Sequence, residues 1–146
     1  WRTILHLVVD GYGGDPEKLE DVGVVRKFLE EYPSVIGMTK IAPPQVHTYQ
    51  GNVPKDWGLS GFVLIAESHI SVHTFPDRGY INVDIFSCKD FDSTRTTQDV
   101  EKTFLLPKVK VWILDRGIEH STPQEAYKGM ITERINISLI DGCKDV

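Results

Sequence analysis

The sequence predicts an α+β fold, a two-layer α/β sandwich in which a largely antiparallel sheet carries its helices on one face. Three observations point there. Short apolar, β-branched runs recur along the chain, and two of them are separated only by the turn Pro76-Asp77-Arg78-Gly79. Segments with helical periodicity are few and interrupt the strands singly, giving the order β-α-β, several strands, α, β, short α, β. A chain of 146 residues with 40% hydrophobic and 25% charged content is long enough for one core and too short for two, so residues 1–146 are expected to form a single domain. One sheet face is then left open for a second copy.

The run 3–9 is apolar and β-branched and ends at Gly11-Tyr12-Gly13-Gly14, which reads as a buried strand and a turn. His6 inside it reads as a packed core histidine rather than a ligand. The glycines lack the third member of a dinucleotide-binding fingerprint. Asp15 followed by Pro16 supplies an N-cap and a first-turn proline, and Leu19, Val22, Val25, Phe28, Leu29 and Tyr32 then recur on one helical face until Pro33 ends the helix. A second strand is expected over 35–41, weakened by Gly37 and stopped by Ala42-Pro43-Pro44. From Gln45 to Gly58 the chain is turn-rich and reads as a long loop carrying His47, Tyr49 and Trp57, and loops of that length are usually functional.

Strands are expected over 61–66, 70–75 and 80–88, and in the last of these Ile81, Val83 and Ile85 face one way while Asn82, Asp84, Phe86 and Cys88 face the other. Asp92-Ser93 caps a helix reaching Leu106, with Val100 and Phe104 on its buried side and Pro107 as its stop. Val109, Val111 and Ile113 alternate with Lys108, Lys110 and Trp112 as in a half-exposed strand. Thr122-Pro123-Gln124-Glu125 is a capping-box pattern, and Ile135, Ile137 and Leu139 alternate as a final strand.

Composition narrows the function. A net charge of -5 without a long basic stripe argues against nucleic acid, whose binding rests on Lys and Arg. No apolar run reaches the roughly 18 to 20 residues of a membrane span, and Trp1-Arg2-Thr3 has no signal-peptide layout, so a cytoplasmic location without a membrane partner is expected. Two cysteines, Cys88 and Cys143, make no disulfide framework, and Cys88 reads as a free thiol.

The chemistry gathers between Glu67 and Cys88: a carboxylate, the hydroxyl of Ser68, the imidazoles of His69 and His73, and a thiol. A serine hydrolase would need a nucleophile elbow with flanking glycines, which Ala66-Glu67-Ser68-His69-Ile70 lacks. His69 and His73 would share a helix face, but on a strand they lie about 13 Å apart, too far for one ion. No metal is expected. A strand serine and a strand cysteine are by themselves ordinary structural residues.

Leu59-Ser60-Gly61, Ala66-Glu67-Ser68-His69, His73-Thr74-Phe75-Pro76 and Asp84-Ile85-Phe86-Ser87-Cys88 resemble, in order and spacing, the S-adenosylmethionine decarboxylase proenzymes in their small prokaryotic form. The resemblance implies a cofactor made from the chain itself. Ser68 attacks the carbonyl of Glu67, the ester undergoes β-elimination, and the chain splits after Glu67 with a pyruvoyl group at residue 68. His73 is implied as the base for the α-proton, and Ser60 as its helper in processing. The ketone then takes the amine of a small-molecule substrate as a Schiff base, and Cys88 returns a proton after carbon dioxide leaves. A homodimer is implied as well.

Two departures from the family pattern bear on the substrate. Asp77 stands where the family has the glutamate that grips the ribose hydroxyls, one methylene shorter. The segment 47–58 is longer than the usual one, and both Tyr49 and Trp57 are candidates to stack on adenine. S-adenosylmethionine is the first expectation, giving the aminopropyl donor for spermidine synthesis. A decarboxylase of arginine or ornithine with the same fold is the alternative, with Asp77 pairing a cationic group. From another class, an unprocessed homologue would serve as a binding or regulatory subunit. A plain alternating strand sets Ser68 and His73 on opposite faces, so a bend or a freed terminus is expected at the cleavage point.

Overall fold

Alternation of apolar and polar residues along six strands gives one sheet a covered face and an open one. The computed structural model describes residues 4–116. Its strands are β1 (Ile4–Tyr12), β2 (Gln45–Tyr49), β3 (Gly58–Ile65), β4 (Ser68–Phe75), β5 (Tyr80–Ser87) and β6 (Lys108–Arg116). They lie in the order β2-β3-β4-β5-β1-β6, and every neighbouring pair is antiparallel. The helices are α1 (Pro16–Leu19), α2 (Val22–Val35) and α3 (Ser93–Phe104). This is the expected α+β sandwich of a sheet and a helical layer.

The core lies between the layers. Leu7 and Val9 of β1, Val63 of β3, Ile70 and Val72 of β4 and Ile81, Val83 and Ile85 of β5 are buried against Val25, Phe28 and Leu29 of α2 and Val100 and Phe104 of α3. Phe28 stacks on Tyr32 at 4.8 Å between ring centroids and meets the edge of Phe104 at 5.4 Å, the offset and edge-on arrangements that aromatic rings favour. The period-2 reading of β5 holds, with Ser87 joining its buried side.

Several local expectations differ from the structure. The first helix is two, because Asp21 accepts from the N–H groups of Gly23 and Val24 and starts a new helix, which leaves Val22 exposed at its first turn. Pro33 does not end α2. It sits in the last turn, the Ile36 N–H still reaches the Tyr32 carbonyl, and the stop comes at Gly37 with φ 74°. Residues 35–41 are therefore not a strand but a helix end and a strap that touches β3 through one isolated bridge, Lys40 to Ile65. The segment 45–58 is not all loop: β2 pairs with β3, and Pro54–Asp56 form a 3-10 turn. His6 is not a core residue, since its face of β1 is the open one, where its Nε2 lies 3.2 Å from Asp84 Oδ1. The third helix closes at Leu105, whose φ of 51° takes the chain out before Leu106. The edge strand β6 exposes both faces, including Val111 and Ile113. The expected helix at 122–125 and strand at 135–139 lie outside the described residues.

Candidate active site

Ala66 and Glu67 alone join β3 to β4, so the bond between Glu67 and Ser68 sits at the tip of a tight hairpin in which Ile65 pairs with Ser68. Ser68 has φ 149°, a backbone region that residues with a Cβ rarely occupy and that costs on the order of 1–3 kcal/mol. The surroundings hold it there. The Glu67 carbonyl accepts from the Cys88 N–H at 2.9 Å, the Glu67 carboxylate accepts from the Thr39 N–H at 3.1 Å, and the Ala66 N–H donates to the Thr39 carbonyl at 2.8 Å. A donor already aimed at a carbonyl oxygen is what stabilises negative charge there when a nucleophile adds. Cys88 follows Ser87, the cross-strand partner of Ser68, one residue past the end of β5 rather than within it, and its thiol is exposed. Glu67, Ser68 and Cys88 thus meet at one end of the sheet.

His73 and Ser60 meet elsewhere. They are cross-strand partners on the open face, with His73 Nδ1 3.0 Å from Ser60 Oγ. Ser68 lies five positions back along β4, about 16 Å at strand rise, with its register position on the covered face. The expected distortion at the cleavage point is present as the φ of Ser68, but it does not bring His73 to that bond within one chain.

The 3-10 turn Pro76–Arg78, closed by Gly79 at φ 59°, presents Asp77 to solvent beyond the end of β4. Here Arg78 Nε and Nη2 both donate to Asp56 Oδ1, at 3.0 and 2.7 Å, and Nε lies 3.3 Å from the Lys55 carbonyl. The 3-10 turn of segment 45–58 is thereby tied to the turn that carries Asp77. Two cavities result. One of about 480 Å³ is lined by Trp57, Asp77, Gln50, Gly51 and Pro54, and one of about 410 Å³ by Tyr49, Asp56, Ser60, His73 and Phe75. Gly58, which also lines the second, has no room for a side chain, since a Cβ there would stand 1.8 Å from the Thr74 carbonyl oxygen. The contacts of Thr39, Asp56 and Arg78 have no sequence signal, because a polar residue in a connecting segment carries no pattern of its own.

The S-adenosylmethionine decarboxylase family model matches residues 5–117. The chain belongs to this family. An S-adenosylmethionine decarboxylase proenzyme of Aquifex aeolicus is 38% identical over 127 residues, which cover 85% of this chain and 90% of that protein. One from Archaeoglobus fulgidus is 38% identical over 122 residues, covering 77% and 96%. The crystal structure of the adenosylmethionine decarboxylase from Aquifex aeolicus superposes with a TM-score of 0.66 at 32% identity, over 83% of this chain and 96% of that one.

In this member of the decarboxylase family the open sheet face mixes apolar and paired polar groups. Phe62, Leu64, Trp112 and Leu114 are exposed there. Asn82 Nδ2 donates to Asp10 Oδ1 at 2.7 Å and to the Tyr80 hydroxyl at 2.8 Å. Burial pushes the Tyr80 phenol up from its ordinary value, so it stays a neutral partner in this chain of bonds. Among the described residues no group of three or more His, Cys, Asp or Glu side chains is placed to hold a metal ion, and no helix is long and apolar enough to cross a membrane.

Proposed function

We propose that this chain is a self-cleaving decarboxylase of S-adenosylmethionine, whose product is the aminopropyl donor for polyamine synthesis. The observation that carries the reading is the Glu67-Ser68 bond, held at a strained hairpin tip with its carbonyl on the Cys88 N–H. Ser68 Oγ adds to that carbonyl. A C–O bond forms, the C–N bond breaks, and the hydroxyl proton ends on the freed amine. Loss of the Ser68 α-proton then breaks the Cβ–O bond, releasing Glu67 as a carboxylate and leaving dehydroalanine. Its imine tautomer takes up water and loses ammonia, giving a pyruvoyl group at residue 68. The residues present fit that origin, since Ser68 supplies the β-hydroxyl and Glu67 an already polarised carbonyl.

The pyruvoyl group supplies a ketone that takes the substrate's amine and draws electrons from the carbon losing carbon dioxide. The other roles belong to side chains. His73, oriented by Ser60, removes the α-proton during processing. The Cys88 thiol, exposed beside Ser68, returns a proton to the substrate carbon. Asp77 takes the ribose hydroxyls, and Trp57, which lines the same cavity, is the better placed of the two aromatics for the adenine. Tyr49 lines the cavity of His73 instead.

Because about 16 Å of strand separates Ser68 from His73 in one chain, the reading includes a homodimer. A second copy over the open face brings the partner's His73 to Ser68 and covers the exposed Phe62, Leu64, Trp112 and Leu114. A cytoplasmic location belongs to the same reading, since a reducing compartment keeps an exposed thiol such as that of Cys88 reduced. Intact-mass spectrometry tests the core of it. Fragments 1–67 and 68–146, the second starting with pyruvoyl, are expected, and a single whole chain with an ordinary serine after long incubation would refute it.

A further inference from the structure

The strap that follows α2 takes no part in the chemistry above, yet it grips the scissile hairpin. Thr39 reaches it in both directions, with its carbonyl accepting from Ala66 and its N–H donating to Glu67 Oε2. The strap is itself anchored. Met38 is 4% exposed and bonds back to the Pro33 carbonyl, Lys89 Nζ donates to the Gly37 carbonyl at 2.8 Å, and the Ile41 N–H donates to the Leu64 carbonyl at 3.1 Å. Glu67 is therefore held at its side chain by Thr39 and at its carbonyl by Cys88. Contacts at both restrain the peptide that precedes the φ of 149° at Ser68.

We propose that Thr39 is a positioning residue for self-cleavage: its backbone N–H fixes the Glu67 side chain and so keeps the scissile carbonyl on the Cys88 N–H while Ser68 attacks. The step served is the first one, in which the Ser68 Oγ–carbonyl bond forms and the Glu67 C–N bond breaks. What position 67 must supply is an acceptor oxygen at glutamate's reach. Negative charge is not the requirement, and neither is the side chain of Thr39, which makes none of these bonds.

The inference rests on self-cleavage after Glu67, and the wild-type chain run in parallel tests that separately. Full-length chains made by cell-free translation are chased, and cleavage is followed on denaturing gels, with hydroxylamine added to one portion to break any ester. Glu67→Gln keeps the oxygen and the reach and is expected to cleave faster than either Glu67→Asp or Glu67→Ala, and Thr39→Ala keeps the backbone donor and is expected not to fall to the rate of Glu67→Ala. Glu67→Asp keeps the charge but loses the reach, and Glu67→Ala loses the acceptor. Both are expected to cleave about 10- to 100-fold more slowly, the range that small misplacements of reacting groups produce, with no hydroxylamine-sensitive ester accumulating. The same substitutions in a Ser68→Ala background, which stays whole, report melting temperatures, and little change is expected there for a solvent-facing contact. Cleavage of Glu67→Asp at the wild-type rate overturns the inference. So does Glu67→Gln as slow as Glu67→Ala, which would mean that charge matters, or an ester that accumulates, which would place the effect at a later step. A wild-type chain that remains whole removes the self-cleavage reading and this inference with it.

Discussion

Co-expressing two inactive variants tests whether the processing base comes from a second copy. Ser68→Ala lacks the nucleophile, and His73→Ala lacks the base. In one chain the two positions are five residues apart on β4, about 16 Å of strand with opposite faces, whereas a proton transfer needs heavy atoms within about 3 Å. An imidazole extends only a few ångströms from its Cα, so no rotamer closes that gap. Expressed alone, neither variant is expected to cleave. In a two-fold dimer made of one chain of each kind, one site joins an intact Ser68 to the partner's intact His73, and the other is doubly defective. With equal amounts and random pairing, about half of all dimers are mixed, so about half of the His73→Ala chains are expected to cleave and none of the Ser68→Ala chains. Distinct tags on the two variants identify which was cut by mass spectrometry, and a two-tag pull-down verifies that mixed dimers formed. Mixed dimers with no cut His73→Ala chain would refute the shared site, as would rapid cleavage of His73→Ala expressed alone.

Cys88→Ala keeps its backbone N–H, so it is expected to cleave substantially while losing most turnover, and full turnover in the cleaved variant would remove the thiol from the reaction. Trp57→Ala is expected to raise the KM for S-adenosylmethionine by the equivalent of about 1–3 kcal/mol, by analogy with base stacking, and Tyr49→Ala by less; the reverse order in steady-state kinetics would exchange their roles. Arg78→Ala frees the 3-10 turn at Pro54–Asp56 from the turn bearing Asp77, so KM should rise with kcat little changed, and the melting temperature should barely move because an exposed pair is worth about 0–1 kcal/mol. Carbon dioxide release measured side by side on S-adenosylmethionine, arginine and ornithine should come from the first alone, and release from an amino acid instead would overturn the substrate.

Much of the fold was legible because binary patterning and chain punctuation act locally. Ile81, Val83 and Ile85 alternate strictly and all lie in the core, and Asp15 and Asp92 cap the helices that their positions announced. What escaped depended on atoms distant in sequence or on competition between signals. Asp21 falls within the periodic run from Leu19 to Tyr32 yet starts a new helix, because a side-chain acceptor satisfies free N–H groups wherever the backbone turns. Pro33 signals a stop, but a proline in the last turn removes a single hydrogen bond, and the helix tolerates that. His6 looked like a core residue since its neighbours are apolar, yet strand parity alone sets its face. That parity points it at Asp84, 78 residues away.

The candidate site can be read as residue types but not as an assembly. Four short motifs point to Glu67, Ser68, His73, Cys88 and Ser60, and the period of a strand raises a contradiction, since it puts the proposed nucleophile and its proposed base on opposite faces. The structure sharpens this contradiction. Antiparallel register locks His73 to Ser60 and Ser68 to Ile65 at opposite ends of the same hairpin, and a shift of register by one residue would turn the core side chains of β3 and β4 to solvent. The hairpin therefore cannot slip to bring the two together. A bend at Ser68 changes the direction of one side chain by a few ångströms and leaves most of the separation. On the proposed reading a second sheet, facing the first, supplies a His73 without disturbing the register, and a face that leaves Phe62, Leu64, Trp112 and Leu114 exposed is the one on which such a sheet would gain most from burial. On this argument the dimer is a condition of processing, so a substitution that places a charge at Leu64 should leave the chain folded, monomeric and uncut.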